Sequence, residues 1–120
     1  MGYSHSGFWK LYEVMRVEKL WVDDVRPPPS DEWVWAKSYR QALSLLEQYR
    51  WEFDIISLDH DLGGRKTGYD LLCKIEARVV EYFNYKPFVG VHTANPVARE
   101  KMQKVANVLN SIRLKGKKKR

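Results

Sequence analysis

The chain has 120 residues, of which 44% are hydrophobic and one is cysteine. Its size allows one hydrophobic core, its single thiol excludes an internal disulfide and a cysteine-built zinc site, and no apolar run nears the roughly 20 residues of a membrane span. The formal charge is +6, yet Arg113, Lys115, Lys117, Lys118, Lys119 and Arg120 account for all of it, leaving 15 basic against 15 acidic residues in the body.

In chain order, residues 1–17 form an N-terminal segment whose run Phe8-Trp9-Lys10-Leu11-Tyr12-Glu13-Val14-Met15 is apolar enough to lie, as a helix, on one face of a sheet. The main domain spans 18–114. Its first strand covers Lys19 to Asp23, and the prolines Pro27, Pro28 and Pro29 then forbid a helix. A second strand covers Trp33 to Ala36. Ser38 with Gln41 three residues later is a capping-box signature, opening a helix with Ala42, Leu45, Leu46 and Tyr49 on one face. Asp54 to Leu58 reads as a buried parallel strand, followed by a loop with Gly63, Gly64, Arg65 and Lys66. A helix from about Thr67 to Phe83 buries Leu71, Leu72, Ile75 and Val79, with Cys73 as an inert core thiol. After a strand at Phe88, Asn95-Pro96 supplies an N-cap and a first-turn proline. The last helix lines up Ala98, Met102, Val105 and Leu109. Ile112 and Leu114 suit a short final strand.

Residues 115–120 read as a basic, disordered tail able to contact nucleic acid. Trp21, Trp33 and Trp35 fall in strands and Trp51 between helix and strand, which favours packing over base stacking. With no signal peptide expected, the default setting is cytoplasmic.

Three strands end in ionisable residues. The first runs into Asp23-Asp24, the Asp54–Leu58 strand into Asp59-His60-Asp61, and the Phe88 strand into His92-Thr93-Ala94-Asn95. In open parallel sheets, ligands bind outside the carboxyl ends of the strands. If the three strands are neighbours, Asp23, Asp24 and Asp59 form a carboxylate cluster with His60 and His92 beside it. Such carboxylates repel one another and need a cation or raised pKa values. An all-oxygen set suits Mg²⁺ or Mn²⁺.

Leu20-Trp21-Val22-Asp23-Asp24-Val25-Arg26-Pro27-Pro28, Ser57-Leu58-Asp59-His60-Asp61-Leu62-Gly63, Thr67-Gly68-Tyr69-Asp70 and His92-Thr93-Ala94-Asn95-Pro96 together resemble a variant of the response-regulator receiver domains. The closer likeness is to the cyclic-phosphate processing receiver domains, many of them from phages and bacteria. The resemblance covers roughly residues 18 to 110. It implies a flavodoxin-like, receiver-type α/β fold with a parallel sheet of four or five strands. Against an ordinary receiver, the helix after the first strand and the final helix are missing. Those two helices cover one sheet face, which the N-terminal segment or a homodimer partner must cover instead.

The resemblance also implies a phosphorylated ligand, a nucleotide or an RNA end. The expected activity is metal-dependent hydrolysis of a cyclic phosphate or phosphodiester. Asp23, Asp24 and Asp59 hold the metal, while His60, His92 and Asp61 are the catalytic candidates, the histidines titrating near neutrality. Arg26, Thr93 and Asn95 are the phosphate-binding candidates. The competing expectations are a switch phosphorylated on Asp59 and a nucleotide-binding module. A receiver senses its phosphoaspartate through a lysine near a proline on the last strand; Lys115, the only nearby candidate, lacks that setting.

Overall fold

The computed structural model describes residues 17–82 and 84–118. The strands β1 (Lys19–Val22), β2 (Trp33–Ala36), β3 (Ile55–Leu58) and β4 (Phe88–Val91) form one parallel sheet. The helices are α1 (Tyr39–Gln48), α2 (Gly68–Glu81) and α3 (Pro96–Lys118). Strand order is β2-β1-β3-β4. The chain steps outward from β1 to β2, crosses back over β1 to β3, and continues to β4. Its winding therefore reverses between β1 and β3, and such a reversal opens a crevice at the carboxyl ends of the strands.

Alternation along each strand sorts residues onto two faces. Leu20, Val22, Ala36, Ile56, Leu58 and Val89 join one continuous core with Ala42 and Leu46 of α1, Leu71, Leu72, Ile75 and Val79 of α2, and Ala98, Met102, Ala106 and Leu109 of α3. All three described helices thus share one face. The opposite face presents Trp21, Trp33, Trp35, Ile55, Ser57 and Phe88, with the Trp21 and Trp33 rings edge-on at 5.6 Å. Among the described residues no helix lies there, as the proline segment implied. The expected cover, residues 8–15, lies outside the described residues.

Helix ends follow local chemistry. The Ser38 hydroxyl accepts the Gln41 N–H at 3.0 Å, but the Gln41 carboxamide turns to the Lys37 N–H rather than closing the box on Ser38. The complete box is at α2, where Thr67 and Asp70 exchange side-chain-to-backbone bonds. Asn95 caps α3 through the Ala98 N–H at 3.1 Å, and Pro96 is its first residue.

Three expectations are corrected. Ile112 and Leu114 lie in α3 and form no strand, because nothing between Leu109 and Ile112 breaks a helix whose stripe is already established; among the described residues the sheet has four strands. That helix also carries Lys115 to Lys118, so the segment read as a disordered tail is helical over those residues, while 119 and 120 lie outside the described ones. Cys73 is exposed, since Leu72, Ile75 and Val79 turn the other side of α2 inward. Among the described residues, no helix is long and apolar enough to cross a membrane.

Candidate functional site

The ladder hydrogen bonds run one residue past the strand ends. Asp23 N–H donates to the Ala36 carbonyl at 3.0 Å, Asp59 N–H to Val22 at 2.9 Å and His92 N–H to Leu58 at 2.9 Å. The first residue after β1, β3 and β4 is thereby held in register, and the three stand side by side at the crevice. One carboxylate oxygen from each of Asp23, Asp24 and Asp59 lies within 4.8 Å of the others.

Asp23 is only 3% exposed. Its Oδ1 accepts the Val25 N–H at 2.9 Å and the Arg26 N–H at 2.7 Å, and its Oδ2 lies 3.0 Å from His92 Nε2. Burial is the largest single influence and raises its pKa. The two backbone N–H groups and His92 together outweigh it, so the carboxyl sits below its ordinary 3.8. Of the two answers to carboxylate repulsion, Asp23 does not take the raised pKa.

Tryptophans shape this turn. Trp21 Nε1–H donates to the Arg26 carbonyl and Trp35 Nε1–H to the Asp23 carbonyl, both at 2.8 Å. The indoles do pack against the sheet, as expected, but they also tie down the loop that follows Asp23. Their polar edge was the signal for that role.

Beyond β3, the His60 N–H donates to Asp59 Oδ1 at 2.8 Å, and His60 Nδ1 lies 3.0 Å from Asp61 Oδ1. Asp61 accepts only, so Nδ1 carries the proton; in the neutral ring Nε2 is then a lone pair, with no hydrogen-bond partner among the described residues. The start of α2 presses onto this exit: Gly68 N–H donates to the His60 carbonyl at 2.8 Å. A Cβ at Gly68 would run into the Asp59 carbonyl oxygen. Only glycine permits that approach. Gly63, in the left-handed region at φ 76°, gives Asp24 similar room, since a Cβ there would stand 3.0 Å from its Oδ2.

His92 reaches from β4 across β3 to β1. Its Nδ1 lies 2.7 Å from Ser57 Oγ, and its ring stacks on Trp21 at 3.8 Å and 7°. Burial, the largest influence, pushes its pKa below 6.5, against the pull of Asp23 and Asp59 and with the help of Arg26. The remaining candidates are less committed to ligand. Thr93 is 1% exposed, its hydroxyl taking the Asn95 N–H and its carbonyl the Arg99 guanidinium at 2.7 Å. The Asn95 carboxamide is spent on the helix cap. The Arg26 side chain is exposed and has no hydrogen-bond partner among the described residues.

A family model, the cyclic-phosphate processing receiver domain, matches residues 18–108. The chain belongs to that family. No curated protein and no solved structure gives a significant match. In this receiver domain the acidic cluster lies at the reversal of the sheet, where a receiver carries such a cluster. Among the described residues there is no fifth strand to carry a counterpart of the receiver's sensing lysine. Lys115 belongs to α3, nineteen residues along from Pro96, which places it about 28 Å from the helix start beside the site.

The donor set fits a hard divalent cation. Three carboxylates within 4.8 Å supply oxygen alone, and the glycine at 63 leaves Asp24 room to turn inward. Mg²⁺ and Mn²⁺ take such sets and keep water or phosphate oxygens on their other positions. Ser57 was missed from the sequence. The signal was a hydroxyl inside the otherwise apolar Ile55-Ile56-Ser57-Leu58 run.

Proposed function

We propose that this receiver domain is a metal-dependent phosphoesterase that hydrolyses a cyclic phosphate or phosphodiester on a nucleotide or RNA end. The observation that carries this reading is the His60–Asp61 pair, whose Nε2 has no partner among the described residues, beside three convergent carboxylates at the sheet reversal. A divalent cation held by Asp23, Asp24 and Asp59 supplies, when bound, Lewis-acid polarisation of the phosphoryl oxygens.

The protein residues do the rest. Asp61 orients the His60 ring and fixes its tautomer, so that Nε2 takes the proton of the attacking water. Water oxygen bonds to phosphorus as the ester P–O bond breaks, and the His60 imidazolium is the acid available to the leaving oxygen. Arg26, with its uncommitted guanidinium, offsets charge developing on the phosphoryl group. Its charge already acts on His92, which puts it near the site. Asn95 and Thr93 shape the β4 exit, their polar groups being used within the protein.

A screen of cyclic mononucleotides and RNA 2′,3′-cyclic ends with Mg²⁺ or Mn²⁺ tests the reading. Turnover is expected to need the cation and to disappear in Asp59→Asn, whose metal-free form is expected to be as stable as the parent because a like charge is gone. If the parent turns over nothing, and acetyl phosphate adds one phosphoryl group that Asp59→Asn abolishes, the domain is a switch instead.

A further inference from the structure

We propose that Ser57 and His92 form a positioning pair that holds Asp23 in its metal-binding orientation, so that His92 acts through Asp23 and not on substrate. This rests on the cation site described above. The Asp23 carboxylate can only accept, so the 3.0 Å contact makes His92 Nε2 the protonated nitrogen. Nδ1 of a neutral ring is then a lone pair, and the Ser57 hydroxyl at 2.7 Å is its donor. Both ring nitrogens are used, and the Trp21 ring stacked at 3.8 Å fixes the plane of the imidazole.

The acceptor positions of Asp23 can be counted. A carboxylate offers about four lone-pair positions. Val25 N–H and Arg26 N–H occupy those of Oδ1, and His92 occupies one on Oδ2. One position on Oδ2 remains. Asp23 is thereby preset as a one-oxygen ligand with a fixed rotamer, while Asp24 has no such brace among the described residues. Partners of this kind behind a metal ligand set its orientation and typically change metal affinity 10–100-fold when removed. His92 cannot trade a proton with substrate without giving up Asp23, whereas His60 Nε2 has no partner among the described residues.

The test is Mn²⁺ titration calorimetry on the full chain, with the His92 tautomer read by ring-nitrogen NMR. The parent is expected to show a neutral ring protonated on Nε2. His92→Leu is expected to weaken Mn²⁺ binding by roughly 10–100-fold, and His92→Gln, which restores an N–H donor, to recover most of the loss. Ser57→Ala, which changes no group touching Asp23, is expected to weaken binding by roughly threefold or more and to mix the tautomers. It carries the test if His92→Leu does not fold.

Parent-like Mn²⁺ affinity in His92→Leu or in Ser57→Ala, or a proton on Nδ1 in the parent, overturns the pairing. If the parent binds no Mn²⁺, the cation site fails and the pairing with it. If the parent binds, Asp59→Asn does not, and His92→Leu binds as the parent does, the pairing alone is wrong.

Discussion

The exits of β3 and β4 each place a histidine at the crevice, and the two are held in opposite ways. His60 follows an aspartate, pairs with the exposed Asp61 and keeps one ring nitrogen unpartnered among the described residues. His92 has Ser57 on one nitrogen, Asp23 on the other and Trp21 against its face. On the proposed reading, the same side chain is a reagent in one place and a brace in the other. What separates them is the strand beneath. His92 lies over Ser57 and Trp21 on the face that no described helix covers, whereas the His60 ring bonds Asp61 and its backbone meets the start of α2. Residue type announces that a group can carry a proton; its hydrogen-bond inventory decides whether it is free to do so.

The largest expected effect is on turnover. His60→Ala should lower the hydrolysis rate by roughly 10²–10⁴-fold, the usual worth of a general base, and flatten one limb of the pH–rate curve while leaving Mn²⁺ affinity near that of the parent. Full activity in that variant would remove the distinction between the two exits.

Next comes the backbone under His60. Gly68→Ala should cost about 1–3 kcal/mol or more, the range for forcing extra volume into a packed place, because its Cβ meets the Asp59 carbonyl and not a movable side chain. Gly64→Ala, with nothing within 4 Å of the new methyl, is the control. Urea unfolding of the two variants side by side measures the difference, and equal stabilities would mean that α2 does not press on the β3 exit as described.

The smallest and most specific effect is in the pH dependence of stability. His92 has a folded pKa below its ordinary 6.5, so its contribution is complete above 6.5 and is lost as pH falls through the lower, folded value. Asp23, also lowered, contributes fully above 3.8 and loses its share further into acid. Stability should thus fall with acid in two stages, the first starting near 6.5. In His92→Gln the first stage should shrink and the second remain. An unchanged first stage would assign it elsewhere.

Much of this was legible from the chain. Short apolar runs and helical stripes placed the described strands and helices, because those patterns are set by residues a few positions apart. Acidic and histidine residues directly after apolar runs marked the strand exits, and Asn95-Pro96 marked a helix start. The misreadings have local causes as well. Ile112 and Leu114 alternate like a strand but continue the helix α3, where both are exposed. Cys73 is as apolar as its neighbours yet sits on the wrong side of its helix.

What the sequence determined by itself, then, is the set of elements and the chemistry at their ends, since both follow from short-range propensity and from what a buried strand excludes. The tertiary structure alone decided which groups meet. Parallel register brings Asp23 just after β1, Ser57 of β3 and His92 just after β4 into one hydrogen-bonded line, although Asp23 and His92 are 69 positions apart in the chain. No local pattern encodes that distance. It arises when strand order β2-β1-β3-β4 sets three exits side by side and backbone ladders hold them a few ångströms apart, close enough for one imidazole to span two strands.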